Sequence, residues 1–273
     1  FARTVFGSGA GIVAAVATAS TPFTLAYARV VIFDGALTFF IVAALVSFYM
    51  AVDTRMKAGA AERGKGGTEI NGGTGAASSH GEEVDENATA LLPYRPTAHE
   101  GWTAIAWVAM GFGVLTKGPV ALVLPLLVAA PFAGRYRAWK ALGDPIAVML
   151  FLAIVAPWLV AVSLRIPDFL EYALVTETLQ RFSTTDLNRT GPVWYFLAIL
   201  PAAALPWTLV AAGTGPALIS RRDEAGRLDR RIFFLLLWIV LPLLLFTVSQ
   251  SKRPQYVLPL VPAVALLVAA AWQ

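Results

Sequence analysis

Carboxylates, ammonium groups and guanidinium groups in this chain gather in four short polar clusters, each wedged between long apolar runs. The clusters span 28–34, 115–119, 171–189 and 249–256 and contain Arg29, Asp34, Lys117, Glu177, Arg181, Lys252, Arg253 and Tyr256. If the apolar runs cross a bilayer in order, all four clusters emerge on one face. A positioned carboxylate such as Asp34 can take a proton from a hydroxyl. Lysine offers a phosphate a compact point charge, and arginine offers it a planar bidentate fork. The residue types therefore suit a polar site for an anionic group at the membrane surface.

Each cluster also has a plainer reading. Asp34 opens an apolar run, where a carboxylate gains about 0.3–1 kcal/mol from the helix dipole, and Arg29 would then be an interfacial anchor. Lys117 stands beside Gly118 and Pro119 in a tight turn, from which a lysine can snorkel to water. Residues 168–182 have the pattern of an amphipathic helix, with Phe169, Tyr172, Leu174, Leu179 and Phe182 suited to the interface. Such a helix can be an anchor and nothing more. Lys252 and Arg253 are adjacent cations between two apolar runs, which favours an anionic ligand more than the other clusters do.

The elements that must hold these residues are membrane helices. Hydrophobic residues make up 58% of the chain and charged residues 14%, against roughly 45–50% and 25% in soluble domains; mean hydropathy is +0.68. The apolar runs fall at 5–27, 33–52, 102–115, 119–133, 145–163, 193–213, 232–248 and 255–272, most near the ~20 residues that a core of about 30 Å requires. The expected fold is an all-α polytopic integral membrane protein of about eight spans. With no cysteine in the chain, disulfides and thiolate metal sites are excluded. The modest basic excess points to loop asymmetry and not to nucleic-acid binding.

Residues 102–133 pose the main topological choice. As one helix they would measure about 48 Å at 1.5 Å per residue, too long without strong tilt, and Lys117 would lie near the bilayer centre at a cost of a few kcal/mol. A hairpin turning at Lys117-Gly118-Pro119 avoids both problems. It also divides the 21 basic residues about two to one between the faces, where a single span divides them almost evenly. The positive-inside rule then sets the four clusters outside the cytoplasm.

Residues 53–100 are expected to form a cytoplasmic loop. Within it, 57–90 is rich in Gly, Ser and charge, the composition of a low-complexity, disordered insertion. Its glycines resemble a phosphate-cradling loop only superficially, because no strand precedes them and no helix signal follows. Residues 165–192 are the longest segment on the cluster side and read as an extracytoplasmic juxtamembrane element. The chain opens on Phe1 and stops at the end of an apolar run, so it is expected to be an internal piece of a longer protein.

The clusters together carry a family resemblance. The segment 115–121, Leu-Thr-Lys-Gly-Pro-Val-Ala, is similar to one in the ArnT-like, PMT-related membrane glycosyltransferases of GT-C type. So are Ala28-Arg29 with Asp34 and Leu37-Thr38-Phe39-Phe40, and Gln180-Arg181-Phe182 with Gly191-Pro192-Val193-Trp194-Tyr195 and Pro206-Trp207. Ser251-Lys252-Arg253-Pro254-Gln255-Tyr256-Val257-Leu258-Pro259 completes the set. No single motif is diagnostic, but four in order over nearly the whole chain, apart from 53–100, make a specific match.

The resemblance implies a partial GT-C transmembrane domain over 1–273, with its active site outside the cytoplasm and its home in a bacterial inner membrane. It implies a hexosyl- or pentosyltransferase that moves a monosaccharide from a polyprenyl-phosphate carrier to a lipid, protein or glycan acceptor. In such enzymes the principal acidic residue lies in a first external loop, upstream of the span that matches 5–27. Asp34 matches a second acidic position, which would orient an acceptor, a metal or the main catalytic group. Arg29, Lys117, Glu177, Arg181, Lys252 and Tyr256 match positions around the carrier phosphate and its rim. Where relatives often have Glu-His, this chain has Glu177-Thr178. Glu177 alone is a weak ligand set, so a divalent metal is doubtful and no cofactor is otherwise implied. A competing class, a transporter or flippase for an anionic or lipid-phosphate cargo, would call for charge nearer the bilayer midplane and for inverted internal symmetry.

Overall fold

The structure is a computed structural model that describes residues 1–28, 33–69, 97–171, 191–223 and 225–272, without the side chains of 28, 62–69 and 170. Arg29, Glu177, Arg181 and most of the expected amphipathic helix lie outside the described residues. Among the described residues the regular elements are helical: α1 Ala2–Phe6, α2 Ser8–Ser20, α3 Pro22–Ala28, α4 Asp34–Glu69, α5 Ala98–Lys117, α6 Val120–Arg135, α7 Pro145–Arg165, α8 Tyr195–Ala203, α9 Trp207–Ser220, α10 Arg230–Val248 and α11 Val261–Ala271. Short 3-10 helices occupy Trp139–Ala141 and Pro254–Leu260, and one further turn of helix occupies Phe169–Glu171.

The helix ends follow from local chemistry. A capping box starts α5: the Glu100 carboxylate accepts from the Thr97 backbone N–H at 2.6 Å, and Thr97 caps the turn in return. The same helix stops at Gly118, whose φ of 87° is open to glycine at little cost; the Gly118 N–H bonds back to the Val114 carbonyl at 2.7 Å. Pro119 follows with a φ already suited to starting α6. The expected hairpin at 117–119 is therefore present. Asp144 caps α7, with Pro145 in its first turn, and Asp229 caps α10.

Other apolar runs are interrupted. Run 5–27 is divided at Gly7, with φ 91°, and again at Thr21 ahead of Pro22, giving three short helices. Run 193–213 bends by 105° between α8 and α9. Among the described residues four helical stretches are long and apolar enough to cross a membrane, or five if that bent pair is one span; α2 and α6 are apolar but shorter. The expected figure of about eight is thus an approximate count of apolar runs. At the other boundary, α4 continues as helix through Glu69 before the residues that are not described.

α4 and α5 pack antiparallel and form the most extensive helix pair. Asp34 at the start of α4 is ion-paired with Lys117 at the end of α5. At the opposite end Arg55 meets His99 at 3.3 Å. From Asp34 to Arg55 the axis runs about 32 Å at 1.5 Å per residue, close to the thickness of a bilayer core. Gly113 lets α5 and α6 approach: a Cβ there would lie 2.7 Å from the Ala121 Cβ and 3.3 Å from the Phe40 Cβ. Around this pair, Tyr49, Phe132 and Phe234 pack with ring centroids 4.9–5.6 Å apart and join α4, α6 and α10.

The bundle thus has two polar ends. One holds Asp34, Lys117 and the segment before Pro254. The other holds Asp53, which pairs with Arg230 and with Lys57 at 2.7 Å, and Asp229, which pairs with Arg231 at 2.8 Å. Burial pulls the Asp229 carboxyl up, but hydrogen bonds from the Arg231 side chain and backbone and from the Ile232 N–H hold it below its usual range. Lys140 belongs to this second end, because its neighbours Ala141 and Leu142 accept hydrogen bonds from Thr103 and Trp107 near the start of α5. A cysteine at exposed Val193 should therefore react in intact cells with a membrane-impermeant maleimide, and one at exposed Lys140 only after the cells are opened. These 273 residues contribute no cysteine of their own to the background, and the reverse labelling pattern would invert the assigned orientation.

Candidate functional site

Asp34 is the first residue of α4 and is 3% exposed. Its Oδ1 accepts from the Lys117 ammonium; its Oδ2 is buried without a hydrogen-bond partner. One turn along the same face, the Thr38 hydroxyl is also buried and unpartnered. Buried polar atoms are normally satisfied, so an orphan acceptor and an orphan hydroxyl one turn apart could receive a polar group. Lys117 is more open, with its side chain 32% exposed against 5% for Asp34. The lysine can thus face an incoming anion while it neutralises the carboxylate behind it.

The tight turn places the lysine there. Gly118 ends α5 immediately after Lys117, so the ammonium lies at the rim of the bundle and not along a helix wall. α4 begins at the same level, with Asp34 in its first helical turn, where the dipole favours negative charge.

The segment 249–256 borders this end. The Tyr27 hydroxyl lies 3.5 Å from Gln255 Oε1, and Tyr27 stands close enough to Asp34 and Tyr195 to interact with them electrostatically. These contacts connect α3, the start of α4, the start of α8 and the 3-10 helix Pro254–Leu260. Tyr256 is half-buried between aromatic neighbours, 5.5 Å from the Phe246 centroid and 6.3 Å from that of Phe196. Ser251 is 5% exposed, and its hydroxyl lacks a partner.

Lys252 has a different immediate task. Its ammonium donates to the Thr247 carbonyl at 2.8 Å and to the Ser249 carbonyl at 3.3 Å, so it caps the C-terminus of α10. It also lies 5.5 Å from the Phe196 ring centroid, within cation–π range, and its stem packs over Gly191. An ammonium has three donors, so one remains after the two capping bonds. Of the residues expected from sequence, the structure brings Asp34 and Lys117 into direct contact and sets Lys252 and Tyr256 on the segment that also meets Tyr27. Arg29, Glu177 and Arg181 are outside the described residues.

Sequence reasoning passed over Tyr27, Thr38 and Gln255 as site groups. Thr38 and Gln255 carried a signal only by lying inside the matched segments, and Tyr27 by preceding Ala28-Arg29. The orphan state of a hydroxyl is a property of packing that spacing cannot express. Among the described residues no three His, Asp or Glu side chains come together as a metal set.

No protein-family model matches the chain. Two curated relatives are undecaprenyl phosphate-alpha-4-amino-4-deoxy-L-arabinose arabinosyl transferases, from Serratia proteamaculans at 34% identity and from Yersinia pestis at 36%. Each is matched over 172 residues, which are 62% of this chain and 30% of the relative. The fold matches the crystal structure of ArnT from Cupriavidus metallidurans bound to undecaprenyl phosphate, with a TM-score of 0.74 and 26% identity, over 99% of this chain and 42% of that one. The apo form of the same protein gives a TM-score of 0.70 at 25% identity. The chain therefore spans less than half the length of the proteins it matches. Shared motifs, identity above one third with Yersinia and a common fold along nearly the whole described bundle make this chain similar to the ArnT-like GT-C membrane proteins.

Proposed function

We propose that this chain contributes part of the active site of a glycosyltransferase that moves a monosaccharide from a polyprenyl-phosphate carrier to a lipid acceptor on the extracytoplasmic face of a bacterial cell membrane. The observation that carries this reading is the Asp34–Lys117 pair, a buried carboxylate with one free oxygen beside a partly exposed ammonium. As the carrier phosphate leaves the anomeric carbon, its oxygens take on negative charge. A fixed ammonium in a water-poor site stabilises that charge far more than it would in water. Lys117 is assigned this role, with Arg29 and Arg181 as guanidinium partners and with Lys252, Tyr256 and Glu177 at the rim. Asp34, already neutralised through Oδ1, offers Oδ2 to a hydroxyl or ammonium of the sugar or acceptor. It orients that group and does not act as an unassisted base.

The proposed organisation follows the same lines: 1–273 as part of a transmembrane domain, 53–100 as its cytoplasmic connection with a low-complexity insertion, and 165–192 as a juxtamembrane element beside the site. The position of Asp34 and Lys117 at helix ends supports catalysis over carriage of an anionic cargo, which calls for charge near the bilayer midplane.

The test is transfer by the full-length enzyme in membranes. Supplied with undecaprenyl phosphate carrying radiolabelled aminoarabinose, or a neutral hexose in parallel, it is expected to label an endogenous lipid from one of the two donors. Failure to consume either donor, in membranes where the protein is folded, would refute the transferase reading.

A further inference from the structure

We propose that the end of the bundle opposite Asp34 and Lys117 holds a second anion site, which takes a phosphate group at the membrane surface. A cavity of about 740 Å³ opens there between α1, α4, α10 and the loop after α9. Lys57, Arg222, Arg227, Arg230 and Arg231 line it, against the carboxylates of Asp53, Asp223 and Asp229. Among the described residues the cations therefore outnumber the anions, and those anions are already engaged.

Both oxygens of Asp53 are used, Oδ1 by Arg230 and Oδ2 by Lys57. Asp229 spends its two oxygens on Arg231 and on capping α10. Asp223 holds its own turn through the Ala225 and Arg227 N–H groups, at 3.0 and 2.8 Å, and lies a loose 3.7 Å from the Arg227 guanidinium. The cations have donors to spare. Nη1 of Arg230 points at the Met56 sulfur, 3.2 Å away and a weak acceptor. Among the described residues Arg222 pairs with no carboxylate, and the Lys57 side chain is 73% exposed. In the wall, burial pushes the Tyr136 phenol up, so it stays an O–H donor.

The depth of the cavity narrows the ligand class. Arg230 and Asp53 sit where the apolar stretches of α10 and α4 end, about 29 Å along α4 from Asp34 at 1.5 Å per residue. A basic cavity between membrane helices at that level suits a phospholipid headgroup, with acyl chains along the apolar flank and the phosphate among the guanidinium groups. The positive-inside count assigns this end to the cytoplasm. The same donors would also hold a soluble phosphate. Nothing in this inference depends on the transferase reading, because the two sites lie at opposite ends.

Thermal unfolding of the purified full chain in a neutral detergent, followed by tryptophan fluorescence, tests it. Phosphatidylglycerol, phosphatidylcholine and inorganic phosphate are titrated separately into wild type, Lys57→Gln/Arg222→Gln and Lys252→Gln. Both residues of the double variant are exposed and Asp53 keeps Arg230 on Oδ1, and each variant's response is read against its own unliganded unfolding temperature. Phosphatidylglycerol is expected to raise the unfolding temperature of wild type and Lys252→Gln alike, at concentrations where phosphatidylcholine does not. The half-saturating concentration should rise about fivefold for each cation removed. Stabilisation by phosphatidylglycerol alone identifies a lipid site, and stabilisation by inorganic phosphate as well identifies a small-anion site of the same chemistry. An equal response to the two lipids, a double variant that titrates like wild type, or loss of the response in Lys252→Gln would overturn the proposal.

Discussion

Lys117→Ala in the full-length enzyme is expected to lower sugar transfer by about 10²–10³-fold, the usual cost of deleting one group that meets charge developing in a transition state. The initial rate of label transfer in membranes, at saturating donor, is the measurement. The variant also changes the resting protein, because Asp34 remains buried with its Oδ2 already unpartnered and loses its cation from Oδ1. Removing one partner of a buried pair costs up to about 3–5 kcal/mol. With the Lys117 side chain one third exposed, water can enter and the cost should fall below that range. Asp34→Asn/Lys117→Ala separates the two effects. It removes the stranded charge and should recover the unfolding temperature while transfer stays low. Lys117→Arg should not restore full rate, since a planar fork at the end of a tight turn presents its donors differently from a point charge. Wild-type turnover in Lys117→Ala would end the assignment of this lysine to the carrier phosphate.

The helical character and the hairpin were legible because each has a strong local cause. Apolar run length announces a membrane helix, and Lys117-Gly118-Pro119 joins a residue tolerant of positive φ to one that fixes the next φ. The contact of Asp34 with Lys117 was half legible: the hairpin and a common face brought them to one end, but direct pairing depends on the antiparallel register of α4 and α5. Gly113 helps set that register through an approach that no hydropathy pattern reports. Segmentation of run 5–27 escaped because membrane helices often tolerate a glycine or proline, so Gly7 and Pro22 did not mark breaks in an otherwise apolar stretch. The capping of α10 by Lys252 escaped for another reason. A lysine just after an apolar run looks the same whether it seeks a phosphate or the last carbonyls of its helix.

Trp238→Ala is expected to destabilise the protein on the order of 3 kcal/mol. Trp238 is fully buried in α10, and its indole N–H donates to the Pro259 carbonyl at 3.0 Å. In a soluble core such a truncation costs about 3–5 kcal/mol, a sum of transfer and cavity terms. Inside a bilayer the transfer term shrinks, because the unfolded chain leaves the indole in lipid; what remains is lost packing and the cavity. Trp238→Phe keeps most of the volume but strands the Pro259 carbonyl, at about 1–3 kcal/mol. Helical circular dichroism against temperature, in one detergent, ranks the three proteins. The expected order of unfolding temperature is wild type, then Trp238→Phe, then Trp238→Ala, and equal temperatures would mean that the α10 contact with the 3-10 helix contributes nothing. Pro259 lies on the same short helix as Gln255 and Tyr256, so loosening it should also raise the donor KM in the full-length enzyme. A purely remote packing defect would lower the unfolding temperature and leave KM unchanged, and that difference tests whether this core residue positions the candidate site.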